Sequence, residues 1–300
     1  MRPHPALTKR LFPRDADHNK EEAHCTPTAE GPAQIKMKPD YKNWVPKSMV
    51  WGLWCAAAAA LVLFVLFGAT EAILHGTARL VCALVFGLGT LALLFFAVWM
   101  TALHRAFDYS GELSISKKIV EGTAEYVKLP EGGIGLDVGC GSGALTIACA
   151  KRNPRAEMVG CDIWSGAYKS TFTRRRCEEN AKAEGAHNIR FEEGNAVSLP
   201  FADESFDAVT SNYVYHNIAG HDKQKLLLET LRVLKKRGTF AIHDIMSRQR
   251  YGDMDAFVRQ LKAEGYAEVR LIDTTDGTFM ESGRAKWLGL AGSALLAGRK

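Results

Sequence analysis

Residues 136–143 read Leu-Asp-Val-Gly-Cys-Gly-Ser-Gly, and the fold is decided there. A short apolar run, Gly133 to Val138, leads into the stretch, and a helix-forming run, Ala144 to Lys151, leads out of it. The glycines therefore occupy a turn between a strand and a helix. Glycine in such a turn tolerates positive φ and lets a ligand approach the backbone, and the helix start beyond it offers free N–H groups. The glycines fall at 139, 141 and 143, and Asp137 stands two residues before the first. A carboxylate beside the turn repels a pyrophosphate and attracts a cation, so the pattern departs from a dinucleotide site.

Outward from the turn, strand and helix signals alternate. Helices are expected at Ser116–Lys128, Tyr168–Glu184, Lys223–Lys236 and Asp253–Ala263. Strands are expected at Glu157–Cys161, Asn188–Glu193, Phe206–Ser211, Thr239–Asp244, Glu268–Asp273 and Ser293–Gly298. This alternation means a mainly parallel sheet covered on both faces. Asp162 closes the second strand, where a carboxylate accepts both hydroxyls of a ribose. Gly194-Asn195-Ala196 follows the third strand, where an amide and backbone groups read an adenine edge; an Asx-type turn is the other reading.

On five motifs in order, LDVGCGSG, GCDIW, EEGNAVSLPF, FDAVTSNYVYHNI and LRVLKKRGTFAIHDI, residues 114–300 resemble a class I S-adenosylmethionine-dependent methyltransferase. The resemblance implies an α/β fold, a Rossmann-like doubly wound seven-stranded sheet with its last strand antiparallel. It also implies S-adenosyl-L-methionine as cofactor, a ligand with an ammonium and a sulfonium and no phosphate. By the same resemblance, Asp137 lies near the methionine ammonium, with Gly139, Cys140, Gly141 and Gly143 shaping the turn. Asp162 holds the ribose with Ile163 beside it, Asn195 and Ala196 hold the adenine, and Asn212 faces the methionine portion. The chain departs from the family's usual pattern at Asn195, often Asp, and at Lys236-Arg237-Gly238, often Pro-Gly-Gly.

Methyl transfer is an in-line displacement, and a general base is needed only for a nucleophile carrying a proton of high pKa. Tyr213 and His216, after the fourth strand, are the catalytic candidates. For His216 the competing reading is a loop histidine with a structural hydrogen bond. His243, beside Asp244, is a further candidate. No Asn-Pro-Pro-Tyr sequence follows the fourth strand, which argues against DNA adenine or glutamine acceptors. The segment Thr274–Leu290 is long for a connection; it covers the substrate pocket or lies on a membrane.

The remainder of the chain differs in texture. Two uncharged runs, Met49–Gly68 (20 residues) and Leu80–Leu103 (24 residues), are each long enough for a transmembrane helix. Trp44, Trp51, Trp54 and Trp99 stand near their ends, where such rings favour the interface. Lys36, Lys38, Lys42 and Lys47 precede the pair, and His104, Arg105, Lys117 and Lys118 follow it. The loop between holds Arg79 offset by Glu71. The positive-inside rule then places both flanks, and the large domain, in the cytoplasm. The expected organisation is a disordered, basic segment at 1–48, two transmembrane helices at 49–103 and a methyltransferase domain at 104–300. Within the first segment, 1–36 is the least ordered in composition, and Met37 is an alternative start.

A net charge of +5 with scattered basic residues calls for no nucleic-acid partner. The seven cysteines show no CxxC spacing, so no metal site is expected. The partners expected are the lipid bilayer, a small-molecule or lipophilic acceptor and a second copy of the chain, a homodimer formed through Gly87 and Gly89. The alternative function is a catalytically inactive, membrane-anchored binding or scaffold protein of the same fold.

Overall fold

The computed structural model describes residues 38–164 and 172–300. The sheet is built from β1 (Ile134–Val138), β2 (Glu157–Asp162), β3 (Ile189–Glu193), β4 (Phe206–Asn212), β5 (Leu234–Ile245), β6 (Ala267–Asp273) and β7 (Ser293–Arg299). Their order is β3-β2-β1-β4-β5-β7-β6. The first five are parallel, and β7 runs antiparallel between β5 and β6, as the resemblance implied.

Strand periodicity of two sorts the sheet's side chains into two layers. Leu136, Val138, Val159, Val209, Phe240 and Ile242 face one core, packed by Leu227 and Leu231 of α6 (Lys223–Arg232) and Phe257 and Leu261 of α8 (Met254–Ala263). Met158, Ala208, Ala241, Leu295 and Ala297 face the other. That face is covered by α3 (Ile115–Ala124) and α4 (Ala144–Arg152). α5 (Arg174–Ala183) packs beside β3. The registers Asp137↔Gly160, Asp137↔Thr210 and Asn212↔His243 bring the carboxyl ends of β1, β2, β4 and β5 to one edge. The chain order reverses between β1 and β4, so the crevice for a ligand opens above the glycine turn.

Several sequence expectations shift, and α3 ends at Ala124 instead of Lys128. Helix α5 starts at Arg174, capped by Thr173 Oγ1 accepting from the Arg176 N–H; residues 168–171 of the expected helix lie outside the described residues. Helix α6 ends at Arg232 instead of Lys236, and β5 begins at Leu234 instead of Thr239. Leu234 is fully buried opposite Phe206, while Lys235 reaches out to Asp207 at 2.9 Å. Arg237 at φ +67° marks the irregularity that follows. The leucines continued the helical spacing past the point where burial of Leu234 takes over. Two short helices, α7 (Arg248–Tyr251) and α9 (Ser282–Trp287), have too few residues to show a period.

The apolar runs form a hairpin of α1 (Lys47–Phe64), prolonged by a π-turn at Val65–Ala69, and α2 (Gly76–Phe107). Both are long and apolar enough to cross a membrane, and only 11% of each apolar window is buried. They are therefore not core helices. Gly68 lets the pair close: a Cβ there would stand 2.6 Å from Ala83 Cα. A Cβ on Gly87 would meet the Phe64 ring at 3.3 Å, whereas Gly89 faces open space. Of the two glycines expected to pair copies of the chain, Gly87 is occupied by the hairpin's own packing.

The boundary expected at residue 104 falls inside a helix. α2 has 32 residues, about 48 Å of rise. Its last turn buries Leu103, Ala106 and Phe107 against Ile115 and Ile119 of α3 and against Met280, Ala285, Leu288 and Leu290. Spacing of three and four residues puts those three side chains on one face. Residues 38–46, expected to continue the disordered segment, instead form an ordered strap. Tyr41 and Val45 are buried, Asp40 N donates to Asn180 Oδ1 at 2.7 Å, Asp40 Oδ2 takes Arg176 Nη1 at 2.7 Å, and Asn43 Nδ2 donates to the His104 carbonyl at 2.7 Å. Apolar side chains at 41, 44 and 45 supply the burial that the more distal residues lack in composition. The expectation for 1–36 lies outside the described residues.

Gly122 in α3 makes room for the Phe279 ring, which a Cβ would approach to 2.4 Å. Gly122→Ala is expected to lower unfolding stability by about 1–2 kcal/mol, overpacking outweighing the roughly 1 kcal/mol that alanine gains in a helix. Denaturant titration of the detergent-solubilised chain checks this.

Candidate functional site

The glycine turn folds back onto β2. The Gly139 and Cys140 N–H groups both donate to the Cys161 carbonyl, at 2.7 and 3.1 Å. Gly139, at φ +72°, is pressed against Val214, which a Cβ would meet at 2.4 Å. Gly141, at φ +57°, has nothing within 4 Å of its Cβ position, so this is the face left open to a ligand. Gly143 is the left-handed N-cap of α4, with no side chain capping the helix start. Cys140 is buried against Tyr41, Ile147 and Cys177, and burial and the neighbouring Cys177 push its thiol well up.

Two carboxylates stand close to each other by the turn, one buried and one bonded to Gly141. Asp137 is buried, with Thr146 Oγ1 donating to it at 2.6 Å. Burial raises its pKa from 3.8 to about 7; the charge of Asp162 adds to the rise and the Thr146 hydrogen bond opposes it. Asp162 accepts from the Gly141 N–H through Oδ2 and from the Trp164 N–H through Oδ1, both at 2.9 Å. Each oxygen keeps a second lone pair for a ribose hydroxyl. Ile163 beside it is exposed. Asn195, past β3, is exposed and accepts the Val197 N–H at 2.9 Å, an Asx turn that leaves its NH₂ free of that contact. Ala196 packs on the core next to it. An open glycine face beside two acids, one already strained toward its neutral form, suits a cationic nucleoside such as S-adenosylmethionine and not an anionic one.

The catalytic candidates lie at the ends of β4 and β5. His216 sits in a 3-10 turn, with Nδ1 2.6 Å from Asp244 Oδ1 and its backbone N–H on Asp244 Oδ2. A carboxylate only accepts, so Nδ1 carries the proton and Nε2 of the neutral ring is an acceptor. Burial alone would raise Asp244; the bond and charge of His216 and the Ile245 N–H outweigh it and hold the carboxyl below its ordinary value. Tyr213 is different. The Ser293 hydroxyl donates to the Leu290 carbonyl at 2.7 Å, so Tyr213 supplies the proton of its own 2.7 Å contact with Ser293 Oγ. Burial also pushes the phenol up. Tyr213 is thus a wall of the site and holds its proton. His243 is fully buried with Nδ1 on Asn212 Oδ1 and Nε2 on Thr274 Oγ1, at 2.9 and 2.8 Å. Burial lowers its pKa to about 3, so it stays neutral with both nitrogens engaged, which removes it as a base.

Aromatic side chains roof this side. Trp44 of the strap lies 5.3 Å from the Tyr213 ring and 5.1 Å from Phe107 of α2. Phe279 lies 5.3 Å from His243. The segment Thr274–Leu290 divides its roles: Phe279 and buried Met280 turn inward, while exposed Trp287 packs on α2 through Trp99, whose Nε1 donates to the Trp287 carbonyl at 2.9 Å. A cavity of about 440 Å³ at the hairpin base, lined by Tyr41, Lys42, Lys47, His104, Asp108 and Tyr109, includes none of the glycine-turn residues. Thr274 and Ser293, which pair with His243 and Tyr213, lie outside every motif, and Asp244, the partner of His216, is visible in the sequence only as the neighbour of His243 in LRVLKKRGTFAIHDI.

Residues 136–242 match the family model for a methyltransferase domain. The chain is 35% identical over 111 residues to the uncharacterized methyltransferase YcgJ of Bacillus subtilis, covering 36% of this chain and 39% of that protein. It is 38% identical over 104 residues to the demethylmenaquinone methyltransferase of Geobacillus stearothermophilus, covering 34% and 41%. It is 34% identical over 140 residues to that of Thermus thermophilus, covering 47% and 58%. The chain thus spans about two fifths to three fifths of these relatives. Its residues 136–242 carry a methyltransferase domain of the class I, S-adenosylmethionine-dependent kind. S-adenosyl-L-methionine is the cofactor of that domain.

Asp162→Ala is expected to weaken S-adenosylhomocysteine binding about 100-fold, about 3 kcal/mol for two hydrogen bonds to a charged acceptor; calorimetric titration reads it. Asp137→Asn is expected to raise the melting temperature. Because the folded pKa is raised, the carboxylate's cost is absent below 3.8 and complete above about 7, so the gain grows over that window and levels off beyond it. Melting curves across the pH range check the sign.

Proposed function

We propose that this chain is a membrane-anchored methyltransferase that moves a methyl group from S-adenosylmethionine to a small lipophilic acceptor, with His216 as general base. The observation that carries the reading is the His216–Asp244 pair, set at the ends of β4 and β5 beneath a roof supplied by the hairpin base. The cofactor supplies an electrophilic methyl on a sulfonium. The chain's own groups do the rest. Asp137 and Asp162 favour a cationic, ribose-bearing ligand. Asp244 fixes the His216 tautomer so that Nε2 takes the proton of an acceptor hydroxyl and the resulting charge is shared with a buried carboxylate. Trp44, Phe107 and Phe279 exclude water and favour an apolar acceptor.

The anchor reading is supported by the length and exposure of α1 and α2, by Trp51, Trp54 and Trp99 near one end of the hairpin and by the basic flanks, which orient the domain to the cytoplasm. Two curated relatives act, by name, on demethylmenaquinone. A quinol is accordingly among the acceptors this site fits: an ionisable hydroxyl on an apolar body.

His216→Ala and Asp244→Asn are each expected to lower kcat by about 10²- to 10⁴-fold, while S-adenosylhomocysteine affinity stays within about twofold. Radiolabelled methyl incorporation into quinols and membrane-lipid extracts measures the first, and calorimetry the second. Methylation confined to a protein or nucleic-acid fraction would contradict the acceptor class.

A further inference from the structure

The insert between β6 and β7 is brought to the base of the hairpin, and its exposed cations, Arg284 and Lys286, have no ion-pair partner among the described residues. In α9, Ala285 is buried, and Leu288 and Leu290 just beyond it are buried in the same cluster as the last turn of α2. Arg284 and Lys286 project on either flank of Ala285 and Trp287 opposite it, all exposed, Trp287 by half. Trp287 meets Trp99 edge-on at 6.5 Å, and its carbonyl takes the Trp99 indole N–H. That contact fixes the depth of α9 along α2. Trp99 lies six residues before Arg105, about 9 Å of helix, comparable to the polar layer on one side of a bilayer, roughly 5–8 Å. Lys47 opens α1 and Arg105 lies in the last turn of α2. Among the described residues, none of Lys47, Arg105, Arg284 and Lys286 is in an ion pair; the acid of this short helix is Glu281, its N-cap.

We infer that α9 is a lipid-surface contact: Trp287 enters the interfacial layer beside Trp99 while Arg284 and Lys286 engage the phosphates of anionic phospholipids. The inference rests on the membrane reading of α1 and α2. The occupant follows from continuity with the apolar spans and from charge, since exposed cations at headgroup depth attract anionic lipid and an indole at that depth favours the interface. The consequence is a link between lipid and site. Lipid held on the outer face of α9 steadies the inner part of the same insert, where Phe279 and Met280 pack over His243 and the junction cluster.

The test uses the full chain in nanodiscs, one set of phosphatidylcholine alone and one with about a third phosphatidylglycerol. Hydrogen exchange is followed over residues 275–292, in the parent and in Arg284→Gln/Lys286→Gln. Expected is exchange slowed about threefold or more by the anionic lipid in the parent, with the difference lost in the double variant and at high salt. Equal exchange in the two lipids, or a double variant that keeps the full difference, overturns the inference while the anchor reading stands. A chain recovered outside the discs overturns both. Quenching by brominated phosphatidylcholine, compared between the parent and Trp287→Phe, gives an independent reading: a quenched component missing from the variant supports the depth assigned to α9, and identical quenching refutes it.

Discussion

A single unbroken helix sets the plan of this protein. α2 carries exposed leucines, valines and phenylalanines along most of its length and then, within the same helix, buries Leu103, Ala106 and Phe107 in the domain. Because an α-helix is stiff over this distance, the apolar hairpin and the sheet are held in one frame instead of being joined by a linker. Everything at the junction inherits that constraint: the strap crosses the helix end, Trp44 packs at a tilt against Phe107, and the insert after β6 docks against Trp99. Under the proposed function, the acceptor side is consequently walled in part by the last turn of α2.

The cofactor side obeys a different logic, one of charge. Two carboxylates at the ends of adjacent strands disfavour each other, and burial makes the conflict worse for Asp137. The conflict is relieved by a cation. Under the proposed function, a cationic nucleoside is favoured by an arrangement that is mildly unfavourable without one. The backbone contributes an open approach at Gly141, while Gly139 and Gly143 are glycine for packing against Val214 and Phe191.

Four polar groups on the acceptor side show how neighbours decide a side chain's chemistry. Tyr213, His216 and His243 are all within reach of the β4 and β5 ends, and all titrate in water. Ser293 and Leu290 lock the proton on Tyr213. Burial with Asn212 and Thr274 keeps His243 neutral and engaged. Only His216, backed by the fourth group, the buried carboxylate of Asp244, has a ring nitrogen turned away from its protein partner.

The sequence by itself determined the parts that depend on local chemistry. The glycine turn, the order of strands and helices, the positions of Asp137 and Asp162 and the two apolar runs were legible because each is written in a few consecutive residues or one short period. Boundaries failed where tertiary burial overrode that period: the leucines before β5 continued a helical spacing that burial of Leu234 cut short, and residue 104 looked like a domain edge because the charges of His104 and Arg105 hid an apolar face. What only the tertiary structure decided were the pairings across long separations. His216 with Asp244, Tyr213 with Ser293, Trp44 with Phe107 and Trp99 with Trp287 each join different elements. The physical reason is that a side chain's proton, exposure and depth are set by what packs against it, and those neighbours are chosen by the sheet and the helix junction, not by the residues beside it in the chain.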